Sequence, residues 1–333
     1  MVISYNEKAV NILAALSIKG IGRSWIIKHQ QYLQSVQHLV AAIRGKTQSV
    51  NFSELDFIKL KNDVISDLRK LESHCDGIVC LGDKDFPYCR GIVPSGDLPV
   101  VLFYRGDLRL LQESNKNVAV IGLLSPDEKI ELAEKIVIDK LSHAGATILS
   151  GLALGCDSTA HKQAITSGTK TIAVLPSPLF DIIPQSNRVL AEEIIRKGGL
   201  LVTEYYQPIR SKKELTTRYI ERDRLQALFC DYIVLAASYA PNNEGKDSGA
   251  RHAMDYAKKY GIPRAVIYNE HKHDKNPMFD LNRLILKDDS KVYQIDSLSL
   301  DKFISQIRSE GGPAKQSVSQ DEEYGIFSPE DFL

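Results

Sequence analysis

One stretch constrains the fold most: a short apolar run is followed by a glycine-containing turn and a helix start. The apolar run is Ala146–Leu149, and the next twelve residues, 150–161, read SGLALGCDSTAH. We expect Asp157 or Ser158 to cap a helix that runs through Ala164. Such a turn directs backbone N–H groups and the positive helix end at one point, which favours an anion such as phosphate. A strand-to-helix turn without any ligand is the alternative.

From Asn117 onward, short apolar runs alternate with helical patterns. The predicted strands are Val118–Ile121, Thr147–Leu149, Thr171–Leu175, Leu200–Val202, Tyr232–Ala236 and Ala265–Tyr268. The predicted helices cover 127–143, 158–167, 187–197, 215–228 and 248–260. Continuous apolar strands indicate a sheet that is covered on both faces, so the pattern predicts an α/β fold with a doubly wound, mostly parallel sheet. Ligands bind at the carboxyl edge of such sheets. The turns expected there are at Gly122, Gly151, Pro176 and Glu204.

The chain divides by pattern into three parts. Residues 1–75 read as a small helical domain, in which LSIKGIGRS (16–24) resembles the turn of a helix-hairpin-helix that can hold a nucleic-acid phosphate. A tight helix–helix corner is the alternative there. Residues 76–300 form the predicted Rossmann-like domain, beginning with a connecting segment whose strands are Ile78–Leu81 and Val100–Tyr104. Residues 301–333 are predicted to be a polar, flexible tail.

Composition limits the classes of partner. Lys plus Arg and Asp plus Glu both number 42, so the formal net charge is zero and a nucleic acid would need a local basic surface. Of the five cysteines, none is in a CxxC pair, and we expect reduced, mostly buried thiols in a cytoplasmic protein, with Cys156 in a packing role. No signal peptide or membrane-spanning run is visible, and we expect no cofactor or metal. His271 and His273 are expected in a solvated loop.

Several further short segments are distinctive as a series. They are FP (86–87), LPVVLFYRG (98–106), SGLALGCD with AH (150–157 and 160–161), TIAVL (171–175), IPQSN (183–187), TEY (203–205), YIERDR (219–224) and SGA (248–250). Their order resembles that of the motifs in the DprA/Smf family of DNA-processing proteins, and the resemblance runs from about Leu81 to Gly261.

The resemblance implies an extended Rossmann fold, usually dimeric, that binds single-stranded DNA and passes it to the RecA recombinase during DNA uptake and recombination. It implies no metal and no catalysed reaction. The chain departs from the family where GSR is replaced by Gly122-Leu123-Leu124, and RNR by Arg222-Asp223-Arg224. The family's C-terminal winged helix is also expected to be absent, so we expect a divergent member, with phage defence as another possible role.

The expected function is therefore single-stranded DNA binding, with phosphates held along the carboxyl edge of the sheet. The predicted nucleic-acid or phosphate-binding residues are Gly122, Ser150, Gly151, Gly155, Asp157, His161, Lys162, Asn187, Glu204, Arg222, Arg224, Ser248 and Gly249. One of Arg222 and Arg224 could reach a ligand while the other holds Glu204 or Asp157 in place, or they could form structural ion pairs only. Asn187 could cap a helix at Arg188. Tyr205, Tyr206 and Tyr219 could stack on bases or pack in the core. No residues are predicted to be catalytic, because no acid completes a triad with Ser158 and His161.

Two other classes of function stay open. A Rossmann protein of this kind could sense a free nucleotide or a nucleotide-derived signal over Gly122 and Gly151. Alternatively, the helical region and the tail could recruit a protein partner.

Overall fold

The computed structural model describes residues 6–241 and 249–309, and within them nine strands form one mixed sheet. The strands are β1 (Gly77–Cys80), β2 (Val101–Gly106), β3 (Asn117–Ile121), β4 (Thr147–Ser150), β5 (Thr171–Val174), β6 (Leu200–Thr203), β7 (Tyr232–Leu235), β8 (Arg264–Ile267) and β9 (Tyr293–Ile295). Their order across the sheet is β1-β2-β6-β5-β4-β3-β7-β8-β9.

The strands from β3 onward pair in parallel, whereas β1 and β2 form an antiparallel extension that joins the sheet along β6. The chain moves outward from β3 through β4 and β5 to β6, and then crosses back to β7 on the other side of β3. This reversal confirms the predicted doubly wound sheet and places the switch point at the carboxyl ends of β3 and β7.

Twelve α-helices accompany the sheet in the described ranges. They are α1 (Glu7–Leu16), α2 (Arg23–Lys28), α3 (Val36–Thr47), α4 (Glu54–Leu68), α5 (Glu128–His143), α6 (Cys156–Thr166), α7 (Arg188–Arg196), α8 (Lys212–Leu228), α9 (Ala250–Tyr260), α10 (Glu270–His273), α11 (Asp280–Asp288) and α12 (Leu300–Ser309). No helix among the described residues combines the length and apolar composition that crossing a bilayer requires.

The N-terminal helices α1 to α4 pack against one face of the β2, β6 and β5 part of the sheet. Phe103, Ala173 and Leu201 point from these strands into an apolar cluster that also contains Ile12 and Phe57. Alternate residues on the same strands belong to a second cluster, because successive side chains of a strand point to opposite faces. Both faces of the sheet are therefore covered.

The structure corrects two expectations about the C-terminal part of the chain. Residues 301–309, which the sequence placed in the polar tail, form most of α12 and bury Phe303, Ile304 and Ile307. His271 and His273 lie in α10, so the loop predicted there is wrong. His271 is exposed as expected, whereas His273 is buried against Phe279, with ring centroids 3.8 Å apart. The rest of the tail, from residue 310, lies outside the described residues.

Candidate nucleic-acid interface

The glycine turn after β4 leads into α6 two residues earlier than the sequence predicted. The residue before the helix is Gly155, with φ 68° and ψ −127°, and no side chain caps the helix. The predicted cap by Asp157 or Ser158 is therefore wrong, since both residues lie inside the first turn. A Cβ atom on Gly155 would come within 2.3 Å of the Leu123 carbonyl oxygen, so only glycine lets this turn pack on the loop after β3.

The guanidinium of Arg222 lies directly on the backbone of Gly151. A Cβ atom at position 151 would come within 1.0 Å of Arg222 Nη1. This nitrogen lies 3.4 Å from Asp157 Oδ2, and Arg222 Nε lies 3.1 Å from Asp223 Oδ1. Arg222 is only 6% exposed, so its charge is balanced inside the protein by two carboxylates from α6 and α8.

Hydrogen bonds inside the protein use part of the turn's backbone. With its amide oriented to satisfy both neighbours, Gln226 accepts from the Gly151 N–H at 3.0 Å and donates to Asp223 Oδ1 at 3.0 Å. The Ala153 N–H donates to Asp157 Oδ2 at 3.2 Å. By contrast, the N–H groups of Leu154 and Gly155 donate to no other residue in the described ranges. The tip of the turn is therefore the part that can receive an anion.

Arg224 forms a second buried charge network beside the turn. Its side chain has no exposed surface and donates hydrogen bonds to the Glu204 carboxylate and the Asp97 carbonyl. Arg23 of α2 lies 3.6 Å from Glu204 and 2.7 Å from Glu221. Burial raises the pKa of Glu204, while the guanidiniums of Arg224 and Arg23 oppose that rise. Of the two possibilities left open for Arg222 and Arg224, the structure forms the ion pairs.

Asn187 holds the glycine turn from the α7 side. Its Nδ2 donates to the carbonyl oxygens of Leu152 and Ala153 at 2.8 and 3.0 Å, and lies 2.9 Å from Ser158 Oγ. Helix α7 begins at Arg188 as expected, but the Asn187 side chain makes no capping bond to it. The side-chain cap is therefore wrong, and the amide of Asn187 is occupied by the turn.

His161 is a fully buried, neutral residue of α6. Thr171 Oγ1 donates to the Ile148 carbonyl, so at 2.7 Å it accepts from Nδ1–H of His161. Burial and the nearby charge of Arg222 lower the pKa of His161 to about 3. The Ser158 hydroxyl donates instead to the Ala153 carbonyl. Ser158 and His161 therefore do not form a nucleophile–base pair in this arrangement.

The remaining predicted residues differ in their access to solvent. Gly122 and Ser150 are buried, and Ser150 Oγ donates to the Val120 carbonyl at 2.7 Å. Lys162 is exposed on α6. Gly249 precedes α9 in a left-handed conformation, φ 78°, whereas Ser248 lies outside the described residues.

The predicted stacking tyrosines are already in contact with protein groups. The Arg218 guanidinium lies 4.3 Å from the Tyr205 ring centroid, and that of Arg222 lies 5.6 Å from the Tyr219 centroid. Tyr206 packs on Phe103, with centroids 5.6 Å apart. These rings therefore contribute first to packing.

Three accessible groups near the turn were not singled out from sequence. Leu124 and Leu154 are 50% and 49% exposed, and both belong to the touching loops after β3 and β4. Arg188, the first residue of α7, is also exposed. The sequences of the two loops, GLL (122–124) and GLALG (151–155), give no local signal of this exposure, because it depends on how the two loops meet.

The sheet order and the glycine turn at a helix start define an α/β protein of the extended Rossmann class. The family model described as DNA recombination-mediator protein A matches residues 77–300, which is more than half of the chain. The chain therefore belongs to this family, as its motifs predicted.

Two curated relatives have similar sequences. Protein Smf of Synechocystis is 25% identical over 304 residues, covering 89% of this chain and 74% of the relative. The DNA processing protein DprA of Streptococcus pneumoniae is 31% identical over 172 residues, covering 51% of this chain and 58% of the relative. The chain thus spans between about half and three quarters of the length of these relatives.

Two solved structures share the fold. The S. pneumoniae DprA structure has a TM-score of 0.66 at 21% identity, covering 88% of this chain and 95% of that one. The Helicobacter pylori protein, whose structure was described for its single-stranded DNA binding mode, has a TM-score of 0.54 at 25% identity, covering 71% of this chain and 97% of that one. The fold prediction is confirmed.

We predict that Gly151→Ala destabilises the protein by about 3 kcal/mol or more, because the new methyl group would displace a buried, paired guanidinium. Urea unfolding would measure the free-energy change. Gly45→Ala in α3 is the matched control: a Cβ atom there meets nothing within 4 Å, and the helix should gain roughly 0.5–1 kcal/mol. Equal stabilities for the two variants would contradict the placement of Arg222.

We also predict a pH-dependent contribution from His161. Its folded-state pKa of about 3 lies below its ordinary value of 6.5, so only the unfolded chain takes up a proton between those pH values. The contribution of His161 to the free energy of unfolding is therefore complete above pH 6.5 and is lost as the pH falls toward 3. His161→Asn, which keeps a donor for Thr171, should flatten the fall in unfolding free energy across that window. The exposed His38→Asn variant is the control, and it should keep the wild-type slope.

Proposed function

We propose that this protein binds single-stranded DNA at the carboxyl edge of its sheet and acts as a non-enzymatic mediator of recombination. The family match across residues 77–300 carries the proposal. The described DNA binding of the H. pylori structural neighbour supports the choice of a single strand. The chemistry of the edge supports an extended polyanion, because backbone N–H groups and separate cations suit phosphates spaced along a chain.

The tip of the glycine turn is the centre of the proposed site. The N–H groups of Leu154 and Gly155 and the positive end of α6 offer a place for one phosphate. The half-exposed side chains of Leu124 and Leu154 supply an apolar surface against which an unstacked base can pack. Arg222 and Asn187 do not need to touch DNA in this proposal, since they hold the turn in shape from beneath.

Exposed cations around the edge supply the long-range attraction. Lys162 on α6 and Arg188 at the start of α7 are exposed, and neither forms an ion pair within the described residues. Lys212 and Lys213 at the start of α8 are exposed as well. Because the net charge of the chain is zero, binding depends on these local charges and should be sensitive to salt.

The proposal includes a RecA-type recombinase as the protein that receives the strand, a homodimer as the working form and the cytoplasm as the location. These parts rest on the family resemblance. Light scattering of the purified protein measures the oligomeric state directly, and co-elution with a recombinase on single-stranded DNA tests the handover complex.

We predict that Lys162→Ala combined with Arg188→Ala weakens single-stranded DNA binding roughly tenfold, since each lost phosphate contact costs about 1 kcal/mol or less. The log–log salt slope should fall by about 1.4, which is about 0.7 for each contact to a single strand. Fluorescence anisotropy at low and moderate salt, with duplex DNA for comparison, measures both quantities.

Lys197→Ala combined with Lys287→Ala is the matched control. Both lysines are exposed, and they lie at the opposite, amino edge of the sheet, before β6 and β9. The control should bind as the wild type does. If the wild-type protein bound no single strand even at low salt, the proposed function would be wrong, and titration with a panel of free nucleotides would then test the nucleotide-sensor alternative.

A further inference from the structure

A large groove lies between the N-terminal helices and the sheet, and the proposed edge site does not use it. Its volume is about 1030 Å³. One wall comes from the α1–α2 turn and α3, and the other from the segment before β2 and the residues after β6. Its lining includes Gly22, Trp25, Lys28, Lys46, Val100 and Tyr205.

The groove opens onto the same edge of the sheet as the glycine turn. Strand β2 runs antiparallel to β6, and Phe103 pairs with Thr203 at the carboxyl end of β6. Glu204 and Tyr205, which follow Thr203 directly, line the groove. A chain molecule that crosses the carboxyl edge from β4 through β5 to β6 therefore arrives at the mouth of the groove.

The accessible charge of the groove is positive. Lys28 and Lys46 are exposed, and neither forms an ion pair in the part of the chain that the structure describes. The carboxylate in the lining, Glu204, is 11% exposed and is paired with Arg224 and Arg23. Its negative charge is thus neutralised within the protein, and the two lysines determine what the groove attracts.

The walls suit the close approach of a nucleic-acid strand. A Cβ atom built on Gly20, Gly22 or Gly45 would meet nothing within 4 Å, so bare backbone borders open space at all three positions. The His29 ring is partly exposed in the lining and stacks on the buried Trp25 ring, with centroids 4.2 Å apart at 22°. Basic groups combined with an aromatic surface are the usual means of holding single strands.

We propose that this groove binds a further stretch of the same single-stranded nucleic acid that the edge site binds. Lys28 and Lys46 contact its phosphates, and the partly exposed His29 ring, backed by the buried Trp25 ring, provides a surface for a base. The inference rests on the proposed function, and it assigns the helical N-terminal region to the DNA footprint. An acidic peptide would also suit the lysines, but continuity with the edge and the bare backbone walls favour a strand.

The test compares two oligonucleotide lengths by fluorescence anisotropy. One has about six nucleotides and covers the edge alone, and the other has about 30 nucleotides and can reach the groove. For the 30-mer, Lys28→Ala combined with Lys46→Ala should weaken binding about tenfold and reduce the salt slope by about 1.4. For the short oligonucleotide, the same variant should bind as the wild type does. The Lys197→Ala, Lys287→Ala control should match the wild type at both lengths.

Thermal unfolding of the variant shows whether its fold is intact, and exposed lysines should change it little. Equal binding of the 30-mer by the variant and the wild type would overturn the proposal, as would equal losses at both lengths. Failure of the wild type to bind either oligonucleotide would overturn the proposed function together with this inference. If the wild type binds the short oligonucleotide, the proposed function stands, and only the inference about the groove depends on the 30-mer.

A synthetic peptide of residues 321–333, which holds five acidic and no basic residues, tests the peptide alternative. Lysine-dependent binding of that peptide, with 30-mer binding unchanged in the variant, would also overturn the proposal.

Discussion

The candidate site depends on one contact: the Arg222 guanidinium lies against the backbone of Gly151 between two carboxylates. A buried guanidinium is stable only if its charge is balanced, and Asp157 and Asp223 supply that balance from two different helices. The glycine turn is therefore clamped between α6 and α8, while Asn187 fixes it from α7. Three helices thus determine where the tip at Leu154 projects. Any side chain at position 151 would separate the guanidinium from the turn, which explains why glycine is needed there although its backbone φ is unremarkable.

This arrangement changes which groups can recognise a ligand. The two arginines that the sequence suggested as phosphate contacts are the internal counter-charges of a carboxylate cluster, and Arg224 has no exposed surface. The groups that are accessible to a ligand are backbone N–H groups at the tip of the turn, half-exposed leucines and exposed cations around the edge. Backbone N–H groups and apolar side chains distinguish bases weakly, so an interface of this kind favours binding with little sequence preference.

Strands β1 to β8 were predictable because each contains a short, mostly apolar run between turns. Strand β9 was not predicted, because it has only three residues and Gln294 is at its centre. The run predicted from Tyr232, for example, differs from β7 by one residue at its end. The N-terminal boundary of α6 was missed because it depends on a different loop. The Cys156 N–H donates to the carbonyl of Leu123, which lies in the loop after β3. The burial of His273 and of α12 was missed because each lies in a mostly polar segment and is covered by residues from elsewhere in the chain. For His273 the covering residue is Phe279. The order of the motifs correctly predicted that the residues of the candidate site lie at one edge of the sheet. However, it did not show that both arginines are paired inside the protein, Arg222 with Asp157, which is 65 positions away, and Arg224 with Glu204.

The buried charges also join the N-terminal helices to the edge of the sheet. Arg23 of α2 reaches Glu204 after β6 and Glu221 of α8, and Arg224 of α8 reaches the same glutamate. Helix α8 therefore carries Arg222, which lies against the glycine turn, and also Glu221, which pairs with Arg23 of the N-terminal region. Breaking the buried Arg224–Glu204 pair would leave an uncompensated charge, and the partly exposed pairs of Arg23 add a weaker link between the groove and the turn. The groove and the turn are consequently held in fixed register, which is the geometric condition for one continuous strand to occupy both.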